Sequence, residues 1–186
     1  MLSDMKKNEH IFLIGFMGCG KSANARYLSK MTGAQQMEMD RTLAEEQGMA
    51  IKDIFETYGE PYFRDLETEL IRSLKEKDSM IVSCGGGAVL RKENVELMRS
   101  CGMIVLLTAS PEAIFDRVKH STDRPLLNGN MNVDYIRELM EKRRPMYEAA
   151  ADIIVDTNMK NVREICEEIL DKLARMRRSC GKDPSV

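Results

Sequence analysis

Gly15-Phe16-Met17-Gly18-Cys19-Gly20-Lys21-Ser22 is the stretch on which the reading of this chain turns. It fulfils the pattern G-x-x-x-x-G-K-[S/T] in full, and its setting fits. A short apolar run, residues 11–14, leads in, and an amphipathic stretch, residues 21–31, leads out. Glycines let the backbone wrap closely around a phosphate chain, so that successive N–H groups and the start of a helix point at it. A lysine at position 21 reaches the β- and γ-phosphates, and the Ser22 hydroxyl is a ligand for Mg²⁺. The pattern implies ATP as phosphoryl donor and Mg²⁺ as its metal.

Outward from this loop, short apolar runs alternate with longer amphipathic ones. Strands are predicted over residues 11–14, 81–84, 103–107 and 153–155. Helices are predicted over 21–31, 62–75, 91–99, 111–119, 133–147 and 161–177, with Ser110 as an N-cap ahead of Pro111. Alternation of this kind implies βαβ units around a parallel sheet with helices on both faces. Residues 39–59 read as two short helices outside the sheet, broken at Gly48. Residues 120–132 read as a lid loop, and 178–186 as a flexible tail. At 186 residues the chain fits one domain. Its core would comprise residues 11–37, 78–116 and 150–177, with an acceptor-binding region at about 38–70 and a lid at about 117–132.

Composition narrows the function classes. The 28 Lys and Arg residues are balanced by 30 Asp and Glu, which argues against a nucleic-acid-binding surface and leaves anionic ligands to locally placed arginines. No apolar run is long enough to span a membrane, and residues 1–10 lack a signal-peptide core, so a cytoplasmic protein is expected. The five cysteines form no C-x-x-C pair and read as free thiols. Cys19, beside a helix N-terminus and Lys21, is a candidate reactive thiol that ATP would shield, or else a passive small side chain. Fifteen methionines read as pliable core filling. His10 and His120 carry no visible role and default to solvent exposure. A monomer is expected.

The loop names the donor but not the acceptor. Phe63-Arg64-x-x-Glu67 lies on a predicted helix, and Ser83-Cys84-Gly85-Gly86-Gly87 follows a strand. Arg124-Pro125-Leu126-Leu127 falls in the lid, and Arg143-Arg144-Pro145-Met146-Tyr147 lies beyond it. Ile51-x-x-Ile54-Phe55 and Gly59-Glu60 precede the first of these. In this order, over about residues 11–170, the series resembles the shikimate kinase family. The resemblance implies a three-layer P-loop kinase fold with a five-stranded parallel sheet flanked by helices, an acceptor-binding region and a lid. It implies transfer from ATP to the 3-hydroxyl of shikimate, on the route to chorismate and the aromatic amino acids.

Shikimate is a carboxylate with three ring hydroxyls. A planar guanidinium grips a carboxylate through two parallel hydrogen bonds, which makes Arg64 and Arg143 natural clamps. Arg144 is adjacent, and the family pattern favours Arg143. Asp40 would accept hydrogen bonds from the ring hydroxyls, the attacking one included. Gly85, Gly86 and Gly87 would offer backbone N–H groups with no side chain in the way. Gly15, Gly18, Cys19, Gly20, Lys21, Ser22 and Ala23 would line the nucleotide, with Arg117 on the adenine side. Arg124 would arrive on lid closure, joining Lys21 and Asp40 as the groups nearest the chemistry.

Three positions depart from the family pattern. Glu38 stands where an aspartate helps hold Mg²⁺ through water, so metal use is expected to persist but weaken. Ala23 replaces a second hydroxyl residue, and Val162 falls where a proline borders the adenine. A gluconate kinase of the same fold would share the loop without needing Arg64, the glycine triplet and Arg143. A relative without catalysis is argued against by intact Lys21, Ser22, Asp40 and Arg124.

Overall fold

The computed structural model describes residues 9–119 and 132–180. The lid prediction and Arg124 therefore lie outside the described residues, apart from 117–119 and Asn132. Residues 117 and 118 end a helix, so the lid range begins within regular structure.

The chain runs β1 (His10–Ile14), α1 (Lys21–Thr32), β2 (Gln35–Glu38), α2 (Met39–Gln47) and α3 (Ile51–Ser73). It continues with β3 (Met80–Ser83), α4 (Lys92–Cys101), β4 (Gly102–Thr108), α5 (Pro111–Val118), α6 (Val133–Ala150), β5 (Ile153–Asp156) and α7 (Val162–Cys180). The five strands form one sheet in the order β2-β3-β1-β4-β5, and every pairing is parallel. Both faces are covered. Phe12 and Ile14 of β1 pack with α2, α3 and α4, while Ile11 and Leu13 pack with α1, α5 and α7. The continuous apolar run of β1 follows from this burial on both sides.

Four strands match the apolar runs. The fifth, β2, was legible only through the family resemblance. Its sequence, Gln-Gln-Met-Glu, is polar because it forms a sheet edge with one buried side chain, Met37. The break at Gly48 is a left-handed C-cap at φ 64°, as expected for residues 39–59. The second short helix then merges with the next across a kink at Gly59, and Pro61 occupies the first turn beyond it. Ser110 caps α5 by accepting the Ala113 N–H at 3.2 Å.

Two expectations are corrected. Residues 178–180 continue α7 and do not belong to a frayed tail. His10 is buried, not exposed. Its Nε2–H donates to the Leu74 carbonyl at 2.8 Å, and its Nδ1 accepts the Met80 N–H at 3.2 Å. His120 lies outside the described residues.

The chain leaves β1 for β2 and β3 on one side of it, and later adds β4 and β5 on the other. The loop after β1 therefore opens at the point where strand order reverses, the place where open α/β sheets bind ligands.

Candidate active site

The loop between β1 and α1 is held from several directions. Gly15 has φ 135°, and a side chain there would run into the Leu107 carbonyl of β4. Gly18 has φ 76°, and an added Cβ would sit 2.8 Å from a Val118 methyl of α5. These two positions admit glycine alone. Asn24, fully buried, donates from Nδ2 to the Gly20 carbonyl at 2.8 Å and ties the first turn of α1 to the loop. The Lys21 ammonium lies over the loop, donating to the carbonyls of Gly15 at 2.9 Å and Phe16 at 3.1 Å. An ammonium has three donors, so one is left for a phosphate oxygen. Arg117 of α5 donates to the Gly18 carbonyl at 3.1 Å and to Thr157 beyond β5, joining the loop to the predicted adenine side.

Cys19 is 1% exposed, and its sulfur is turned inward beneath Gly15. It lines a cavity of about 200 Å³ with Phe16, Leu107, Met140 and Tyr147. Burial of the thiol fits the passive small side chain, the second of the two readings of Cys19. Its N–H bonds the Phe16 carbonyl within the loop at 3.3 Å. Ala23 is exposed on the first turn of α1.

Ser22 and Glu38, sixteen positions apart in sequence, do meet. The Ser22 hydroxyl donates to Glu38 Oε2 at 3.0 Å and lies 3.5 Å from the Ser83 hydroxyl at the end of β3. Gln36 Nε2 holds the other oxygen, Oε1, at 3.0 Å. The longer side chain of glutamate thus still reaches the hydroxyl.

The acceptor-side residues converge around the turn after β3. A Cβ added at Gly85 would sit 2.7 Å from Asp40 Oδ1 and 2.7 Å from Glu67 Oε1, so two carboxylates from α2 and α3 face that glycine. At Gly87 an added Cβ would overlap the Arg64 guanidinium, which therefore lies directly on the backbone. Arg64 donates to Glu67 Oε2 at 2.6 Å and to Glu60 Oε1 at 2.8 Å. From α6, the Tyr147 hydroxyl donates to the Gly86 carbonyl at 2.5 Å, and the positive charge of Arg143 acts on that phenol. Arg144 points elsewhere, into the cavity beneath the loop. The helix rotation thus separates the two adjacent arginines, and Arg143 is the one whose charge acts on Tyr147.

Sequence reasoning gave Glu67 and Tyr147 no role. Glu67 is fully buried, and its Oε1 has no hydrogen-bond partner among the described residues. Burial pushes its carboxyl above the usual carboxylate range, against the pull of Arg64 and with a further push from Asp40. A buried acceptor atom left unpaired and facing Asp40 and Gly85 marks a place prepared for a polar partner. The i, i+3 spacing of Arg64 and Glu67 was the available signal for their pairing.

Comparison with known proteins agrees. Residues 17–174 match the family described as SKI, shikimate kinase. A shikimate kinase of Dehalococcoides mccartyi is 38% identical over 177 residues, covering 95% of this chain and all of that protein. One from Geobacter sulfurreducens is 42% identical over 160 residues, covering 86% of this chain and 88% of that protein. Among solved structures, the shikimate kinase of Acinetobacter baumannii in complex with shikimate superposes with a TM-score of 0.84 at 29% identity, covering 90% of this chain and 93% of that one. A gluconokinase from Sinorhizobium meliloti, at TM-score 0.61 and 19% identity, shares the fold alone. With the family match spanning most of the residues that build the phosphate loop and the acceptor turn, the chain belongs to the shikimate kinase family.

Proposed function

We propose that this chain transfers the γ-phosphoryl group of ATP to the 3-hydroxyl of shikimate, giving shikimate 3-phosphate. The observation that carries the reading is the convergence of Asp40, Glu67, Arg64 and Tyr147 on one three-glycine turn beside the phosphate loop. That set offers what a hydroxylated carboxylate needs. Arg64 and Arg143 supply guanidinium forks for the carboxylate, and Asp40 accepts from the ring hydroxyls. Glu67 Oε1 is a further acceptor aimed at the same place, and its other oxygen holds the Arg64 fork in position.

Phosphoryl transfer asks for alignment and charge neutralisation more than for covalent help. Lys21 would meet the transferring phosphate with its remaining donor. Arg117 would border the adenine while bracing Gly18. Asp40 would orient the attacking hydroxyl. Arg124 belongs to the same proposal by resemblance.

The residues present fit Mg²⁺. Ser22 and Glu38 offer hard oxygen ligands at one point, one directly and one through water. Bound there with ATP, the ion would neutralise charge on the phosphate oxygens. Glu38 would fill the usual aspartate's place at some loss of affinity. Among the described residues no helix is long and apolar enough to cross a membrane, and we take the working unit to be a monomer.

The test is ADP release measured with shikimate, with gluconate and with no added acceptor. Turnover with shikimate alone is expected. Turnover with gluconate but not shikimate overturns the reading, and silence with every acceptor favours a relative without catalysis.

A further inference from the structure

We infer that Tyr147 is a positioning residue for the acceptor, holding the glycine turn and the Arg143 guanidinium in one arrangement. The inference rests on the acceptor site proposed above and deepens it.

The glycine turn needs an external hold, because three consecutive glycines have more backbone freedom than any other tripeptide. Its carbonyls show how that freedom is removed. The Gly85 carbonyl accepts the Ala88 N–H at 3.1 Å, and the Gly87 carbonyl accepts the Leu90 N–H at 3.0 Å. The Gly86 carbonyl takes no such local bond and accepts the Tyr147 hydroxyl instead. A trans peptide is planar, so fixing the Gly86 C=O also fixes the Gly87 N–H, which points the opposite way. The phenol therefore decides where one backbone donor of the acceptor turn is aimed. Arg64, lying on Gly87, holds the turn from the α3 side, and Tyr147 holds it from the α6 side.

The same oxygen serves a second partner. A hydroxyl has one proton to donate and two lone pairs to offer. Donation to Gly86 leaves those lone pairs for Arg143, one helical turn upstream on the same helix, whose positive charge acts on the phenol. Pro145 stands between the two residues and removes one intrahelical hydrogen bond from this part of α6. The setting of Arg143 then leans more on its side-chain neighbours, of which Tyr147 is the one at i+4 on the same helix. Burial keeps the phenol protonated, and hence a donor, throughout the neutral range.

The experiment is Tyr147→Phe in the full chain, which keeps the packed ring and removes only the hydroxyl. The expected result is a shikimate KM raised about tenfold, the size of one lost hydrogen bond that orients a charged clamp. The ATP KM should stay within about twofold and the melting temperature within a few degrees. Combined with Arg143→Gln, the two effects on shikimate KM should fall well short of multiplying, since one residue acts partly through the other. A shikimate KM unchanged in Tyr147→Phe overturns the proposal, as does full multiplication in the double variant. A parallel rise in both KM values with a large drop in melting temperature also overturns it, as the behaviour of a ring that only packs. If the wild-type chain turns over no shikimate, the functional reading itself has failed and takes this one with it. Wild-type turnover with an insensitive Tyr147→Phe variant removes this proposal alone.

Discussion

The donor side and the acceptor side of this crevice are built on different terms. The phosphate loop is one contiguous octapeptide that works through its backbone, with Lys21 and Ser22 as its few side-chain contributions. Its supports come from neighbours that any such loop in this sheet would have, the end of β4 at Gly15 and α5 at Gly18. The proposed acceptor pocket draws Asp40 from α2, Arg64 and Glu67 from α3, a glycine turn after β3, and Arg143 and Tyr147 from α6. On that proposal it would work mainly through side chains set by several different elements. A backbone cradle tolerates sequence change around it. A pocket assembled from distant side chains can be retuned, or broken, one contact at a time.

The contrast is sharpest if single substitutions fall cleanly on one side. Lys21→Met should give the largest effect, a loss of about 10²–10³ in kcat, as for removal of one preorganised donor at developing charge. Shikimate affinity, measured by calorimetry, should hardly move. A comparable loss of shikimate affinity would show that the two halves are not separable at Lys21. Gly87→Ala tests the other side. The new methyl occupies the place of the Arg64 guanidinium, which can swing away but then leaves the pocket. The shikimate KM should rise about thirtyfold or more, as for loss of a paired charge worth about 2 kcal/mol, with the ATP KM unchanged. An unchanged shikimate KM would exclude Arg64 as a clamp.

Glu38 probes the seam between the halves, since it lies on β2 at the acceptor side yet receives the Ser22 hydroxyl from the donor side. Glu38→Ala should raise the Mg²⁺ concentration for half-maximal rate about tenfold, the scale of losing an outer-shell metal partner. The shikimate KM at saturating Mg²⁺ should stay put. Unchanged Mg²⁺ dependence would remove Glu38 from the metal's surroundings.

The same contrast explains what was legible in the sequence. A backbone site is written contiguously, so residues 15–22 announced their chemistry. Arg64, Asp40 and the glycine triplet were legible only as a series resembling a family, because nothing local says that α2, α3 and the β3 turn meet. The choice between Arg143 and Arg144 depends on about 100° of helix rotation, set by how α6 packs. Tyr147 read as part of a motif without a task, since its partner Gly86 lies in another element. Strand β2 was hidden by its polarity, which an edge position permits. Cys19 looked reactive from its neighbours in sequence, while its exposure was decided by the inward turn of its side chain under Gly15.

His10 offers the smallest effect and a control, because it lies at the start of β1, behind both halves. Its neutral ring joins the strand to the end of α3 through Leu74 and to β3 through Met80. Burial lowers its pKa below the model-peptide value of 6.5, opposed by the bond to Leu74 and reinforced by nearby Lys77. A folded-state pKa below the unfolded one means that the neutral form is the one the fold prefers. The stability it contributes is present above about pH 6.5 and is lost as pH falls through the lowered folded value. Protonation would turn Nδ1 from acceptor to donor, strand the Met80 N–H and bury a charge, together about 1–3 kcal/mol. Melting temperature should therefore drop as pH falls below about 6.5, and His10→Gln, whose amide donates and accepts without titrating, should flatten that drop. The ratio of shikimate to ATP KM should not follow it, since His10 and its partner Met80 lie at the ends of β1 and β3 away from both halves. A ratio that shifts with His10 titration would mean that the strand transmits strain to one half preferentially, and that the two sites share more than a common floor.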